Sequence, residues 1–149
     1  MRILFSLVVL MAIFSACNKS KFTTVPQIKY KSLTNNSFSS GSVPVSIAPV
    51  ITINVTDAEG DLGFIDGKDT SYVFMKNLRT NKTDSLILPD LSKAAGRNFD
   101  IDVQVNTYKI LSVPNPAKKD TLYYDIYVKD FAGNKSNIVR TGDPIYYAP

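Results

Sequence analysis

Three carboxylates fall within five residues at Asp57, Glu59 and Asp61, with Ala58 and Gly60 between them, and Asp66 and Asp69 follow closely. Asp130 and Asn134 form a second polar group around Gly133. Side chains of this kind suit two kinds of chemistry. They can ligate a hard cation, since calcium takes about six to eight oxygens from carboxylates, carbonyls and water. They can also close turns, because Asp and Asn hydrogen-bond to nearby backbone amides and Gly adopts backbone angles that other residues avoid. The order is not that of an EF-hand, whose loop ends on an acid, because the corresponding position counted from Asp57 is Lys68. The turn account needs no ligand and carries more weight. The metal account would make Asp57, Glu59, Asp61, Asp130 and Asn134 the ligands of a calcium ion.

Other chemistry is excluded by what the chain lacks. It has no histidine and one cysteine, Cys17. Ser-His-Asp and Cys-His mechanisms therefore cannot be assembled, nor can a Cys/His metal site or an internal disulfide. A glycosidase needs two carboxyl groups facing each other across a cleft. Here the carboxylates share one short loop, and Asp100 and Asp102 fit the solvated face of a strand. The net charge of +4 is dispersed, with only Lys118 and Lys119 adjacent. No basic stripe suited to nucleic acid results. Tyr123 and Tyr127 share a strand face opposite the apolar one, and Tyr146 and Tyr147 lie near the end. Such rings can stack on sugars or on a protein partner. The plainer account, half-buried rings covering a sheet, is the commoner one.

The elements that must position these residues are strands. Glu59 is the sole glutamate against twelve aspartates, and eight prolines and eight tyrosines accompany many Val, Ile and Thr residues. That bias favours strands and turns over helices. Ile51, Ile53 and Val55 alternate with Thr52, Asn54 and Thr56, directly before the acidic loop. Phe99, Ile101, Val103 and Val105 alternate with Asp100, Asp102, Gln104 and Asn106, and Leu122, Tyr124, Ile126 and Val128 do the same. Further strands are expected over residues 25–33 and 72–79, the second with blurred alternation. A short strand over 85–88 makes a hairpin with 72–79. The last strand covers 137–140 and resumes at 145–147. Residues 89–96 allow one helical turn. About seven strands separated by turn signals predict an all-β sandwich, preceded by a separate N-terminal segment.

Met1 and Arg2 precede an apolar run over residues 3–14 that only Ser6 interrupts. This run is too short to span a bilayer, which takes about 20 residues, but it suits a secretory signal. Its end, Phe14-Ser15-Ala16-Cys17, resembles the bacterial lipobox, with Phe14 in place of the usual Leu. The resemblance implies removal of residues 1–16 and acylation of Cys17, palmitate included. A covalent lipid there anchors firmly, each buried CH₂ contributing about 0.8 kcal/mol. Residues 17–25 would then be an acylated N-terminus and tether, and 26–149 the folded domain. The stretch from Tyr124 to Ser136, which ends a strand on Asp130 and turns through Ala132, Gly133 and Asn134, resembles bacterial immunoglobulin-like and cadherin-like domains. The Asp57–Asp61 loop is similar to acidic loops of cadherin-like repeats. The resemblance implies an immunoglobulin-like sandwich of about seven strands with both acidic groups at one end.

These readings converge on a lipid-anchored protein of the cell envelope, at the outer membrane, with its domain facing either the periplasm or the outside. The expected function is non-catalytic: a binding or scaffolding module for another envelope protein or a glycan, stiffened by calcium where the metal account of the acidic loop holds. The alternative is an accessory glycan-binding module of a nutrient-uptake system, with Tyr123 and Tyr127 as the platform.

Overall fold

The computed structural model describes residues 22–41, 43–65, 69–91 and 98–149. The signal segment, Cys17, most of the tether, Asp66, Lys68 and the expected helical turn beyond Leu91 lie outside the described residues. Among the described residues every regular element is a strand.

The strands form two layers. In the first, β1 (Gln27–Thr34) and β8 (Phe99–Asn106) flank β3 (Val50–Asp57), all antiparallel. In the second, β6 (Tyr72–Asn77) lies between β7 (Thr83–Ile87) and β10 (Tyr124–Lys129), and β11 (Val139–Arg140) pairs with the other side of β10. β9 (Asp120–Leu122) leads into β10 with only Tyr123 between them. β12 (Ile145–Ala148) pairs with β9 as β11 pairs with β10. The last two strands of the domain are therefore each interrupted once and run side by side. β2 (Ser37–Ser39) joins this layer by pairing parallel with β12. The start of the chain thus contributes to both layers, β1 to the first and β2 to the second. A minor hairpin, β4 (Phe64–Ile65) with β5 (Asp69–Thr70), decorates the loop after β3. Two sheets over an alternating core make an all-β sandwich.

One apolar cluster joins the layers. Ile51, Ile53 and Val55 from β3 and Val103 and Val105 from β8 face Val73 and Met75 from β6 and Leu122, Tyr124, Ile126 and Val128 from β9 and β10. Burial of such side chains stabilises by about 1.5–3 kcal/mol each. The period of two in β8 and β10 appears directly as alternating burial.

Two departures from simple alternation matter. The pairing of β1 with β3 slips between Tyr30 and Ser32. This bulge reverses the alternation, so Leu33, rather than Ser32, packs against the core. In β6 the blurred pattern resolves into buried Val73, Met75 and Asn77 against an outer row of Tyr72, Phe74 and Lys76. Asn77 earns its buried place by hydrogen bonding. Its Oδ1 accepts from the amides of Arg79 and Thr80 at 2.9 and 3.2 Å, closing the turn to β7, while Nδ2 donates to the Ser112 carbonyl at 2.9 Å.

Candidate functional site

The acidic loop and the Asp130 turn meet at one end of the sandwich. β3 ends on Asp57, and β10 ends immediately before Asp130. The Phe131 amide donates to the Asp61 carbonyl at 3.0 Å, tying the two loops together.

Asp57 is fully buried. Its Oδ2 accepts from the amides of Glu59 and Gly60 at 3.1 and 2.6 Å, so one oxygen closes the turn. Gly60 takes φ +71°, a conformation that Gly adopts without steric cost. Among the described residues no N–H or hydroxyl donates to the other oxygen, Oδ1, or to Oδ1 of Asp61, and both are buried. Asp130, 4 % exposed, is fully engaged. Its Oδ1 accepts from the Asn134 amide at 2.7 Å and its Oδ2 from Asn134 Nδ2 at 2.9 Å. The Asn134 side chain thus belongs to its own turn, and Glu59 is exposed. Asp69 is exposed on β5.

The electrostatics record how close these groups are. Burial, then the charges of Asp130 and Asp57 and a side-chain hydrogen bond with Asp57, push the Asp61 carboxyl up to about 6. Like charges that share a site disfavour ionisation, so Asp61 holds its proton to higher pH than a free carboxyl does. A bound cation would meet the same demand. Among the described residues no three acidic, His or Cys groups stand ready-arranged around a metal position. The donor set nevertheless suits a hard cation: among the described residues no N–H or hydroxyl donates to the two buried oxygens, which meet only through the proton that Asp61 and Asp57 can share, and a third carboxylate adds charge.

The two tyrosines singled out from the sequence do not form a shelf. Tyr127 stacks on Phe74, with centroids 4.7 Å apart and planes 7° from parallel. Lys135 Nζ lies 4.0 Å over the Tyr127 ring and Lys129 Nζ 5.5 Å over Phe74. A sugar would have to displace Phe74 or Lys135 to reach the ring. Tyr123 lies in the break between β9 and β10, where its carbonyl accepts from the Leu78 amide at 3.0 Å. Between the tyrosines, Asp125 is clamped by Arg140 through two bonds of 2.8 and 3.1 Å. Phe74 escaped the sequence reading, because only the pairing of β6 with β10 sets it beside Tyr127.

No protein-family model, curated protein or solved structure matches the chain. Function must therefore be argued from the fold and these sites.

Proposed function

We propose that the protein is an acylated envelope lipoprotein whose immunoglobulin-like sandwich is a non-catalytic binding or scaffolding module, stiffened by calcium at its acidic end. The observation that carries the calcium part is the pair of buried oxygens on Asp57 and Asp61 that no N–H or hydroxyl reaches among the described residues, so that only a shared proton or a cation can bridge them. An unpaired buried charge is costly, and coordination to a cation offsets that cost. Asp57 Oδ1 and Asp61 Oδ1 would hold the ion, Asp130 would balance its charge, and backbone carbonyls and water would complete the shell.

The anchor and the acidic end belong together in this reading. The Ala58 amide donates to the Thr23 carbonyl at 3.0 Å, so the chain enters the sandwich beside the acidic loop. Cys17 precedes Thr23 by six residues, a reach of at most about 20 Å. The acidic loops would then lie near the membrane surface. A rigid, cation-bound base there would fix how the module stands on its lipid. The opposite end, with the C-terminal strand, would point away.

Thermal unfolding of the full-length protein in detergent, with calcium and then with EDTA, tests the proposal. Calcium at about 100 times its dissociation constant adds about 2.7 kcal/mol, a rise of several degrees. The rise should vanish in Asp61→Asn. No shift in millimolar calcium would leave Asp57 and Asp61 as turn residues. Mass spectrometry of the mature N-terminus tests the anchor separately, and an unmodified chain would remove it.

A further inference from the structure

A groove of about 700 Å³ lies at the end of the sandwich opposite the acidic loops, where Arg79, Lys119 and Tyr146 border it. The register fixes the opposition: Lys129, next to Asp130, pairs with Tyr72, whereas Tyr124 pairs with Asn77, and Asp120 lies farther still along the same strand. The volume falls in the usual range for ligand sites, about 300–1,000 Å³.

The exposed ring among its lining residues is Tyr146, 49 % exposed. On the outer face of the sheet Tyr146 is flanked in register by Ser37 and Thr121, two short hydroxyl side chains. Neither can overtop the ring, and both can hydrogen-bond to whatever lies on it. Unlike Tyr127, Tyr146 is not stacked against another ring among the described residues. The strand beneath it is held firmly. Tyr147, on the inner face, packs against Phe38 with centroids 5.1 Å apart and donates from its hydroxyl to the Pro116 carbonyl at 2.7 Å.

The rim supplies positive charge. Arg79 Nε donates to Asp120 Oδ1 at 2.8 Å, and the same oxygen accepts from the Thr121 amide at 2.8 Å. Asp120 pairs with Tyr147 and so starts from the inner face; fixed there, it holds the guanidinium through Nε at the end of the sheet, where Arg79 borders the same groove as Tyr146. With Nε so engaged, the two terminal amino groups are what a ligand carboxylate would meet on Arg79, and two parallel bonds suit it. With Lys119 beside it, the rim carries two cations against one anion.

We infer that this groove binds an acidic oligosaccharide, with a sugar ring lying on Tyr146 and its carboxylate gripped by Arg79 beside Lys119. The C–H face of a pyranose fits a flat, half-exposed ring bordered by hydroxyls. An extended peptide would instead need a free strand edge, and the edge available here, β2, offers three residues. The inference is independent of the calcium site at the other end.

Isothermal titration of the full-length protein in detergent, with EDTA present, tests it with three probes: tetragalacturonate, its fully methyl-esterified form and poly-L-glutamate. The expected result is binding of tetragalacturonate and at least about tenfold weaker binding of the ester. Arg79→Gln should bring the acid down to the level of the ester. Tyr146→Ala should weaken both by about tenfold while the melting temperature is retained, and Tyr127→Ala should change neither. Absence of heat with tetragalacturonate overturns the inference. So does equal binding of acid and ester, which would mean a neutral glycan site. Binding of poly-L-glutamate that survives Tyr146→Ala would mean an acidic peptide site and overturn it too.

Discussion

The side chain of Asn137 hydrogen-bonds to both main-chain groups of Ile28. Its Oδ1 accepts from the Ile28 amide at 2.8 Å, and its Nδ2 donates to the Ile28 carbonyl at 2.9 Å. One amide thereby imitates a neighbouring strand, satisfies the outer edge of β1 and joins the first layer to the segment that leads into β11. Ser136 prepares the turn by accepting from the Val128 amide through its hydroxyl at 3.0 Å.

Asn137→Ala should therefore destabilise the domain by about 1–3 kcal/mol, since it leaves polar groups of the nearly buried Ile28 without partners. Chemical denaturation should show a lower midpoint at unchanged slope. An unchanged midpoint would mean that water replaces the bridge at no cost.

The raised carboxyl of Asp61 gives the cation-free protein a distinctive pH dependence. Its folded-state value of about 6 lies above the ordinary 3.8, so the folded state holds this proton more tightly than the unfolded chain does. The Asp61 contribution to stability is fully present below the unfolded value and is lost as pH rises through about 6. In EDTA the melting temperature should fall from pH 4 to pH 7, and Asp61→Asn should flatten that part of the slope. Solvent screening of this partly exposed group moderates the size of the effect. If wild type and Asp61→Asn give parallel profiles, Asp61 carries no excess proton.

Phe74 and Tyr127 should be coupled. A double-mutant cycle to alanine, read by chemical denaturation, should return an interaction of about 0.5–1.5 kcal/mol for the stacked rings. Additive losses would show that the rings are neighbours without a specific interaction.

Two glycines at positive φ should respond differently to alanine. Gly63 has φ +113°, and a Cβ there would come within 3.0 Å of Leu91 Cβ, whereas Gly133 has φ +86° and open space around it. Gly133→Ala carries only the backbone cost, about 1 kcal/mol, and Gly63→Ala adds a clash to it. Melting temperatures of the two variants should rank in that order. The reverse order would mean that Leu91 yields freely.

The sequence by itself determined the all-β class and most of the strands. β8 and β10 each bury one face, so their alternation is written residue by residue, and the abundance of Asp over Glu marks the turns. It also marked Asp57 and Asp130 as turn residues, because each closes its own loop through backbone amides within four positions. What depends on distant residues had no local signature. The bulge in β1 that brings Leu33 to the core follows from its register with β3. Phe74 lies beside Tyr127 because β6 pairs with β10, and that stack removes Tyr127 as an open platform. Tyr146 is flanked by hydroxyls because β2 and β9 flank β12. The crowding of Asp57, Asp61 and Asp130 arises only where the two loops close over each other. Burial and electrostatic strain belong to the packed ends of the sandwich, whereas a turn or a strand face is set by near neighbours in the chain. That difference in range is why the fold was legible and the sites were decided by tertiary structure.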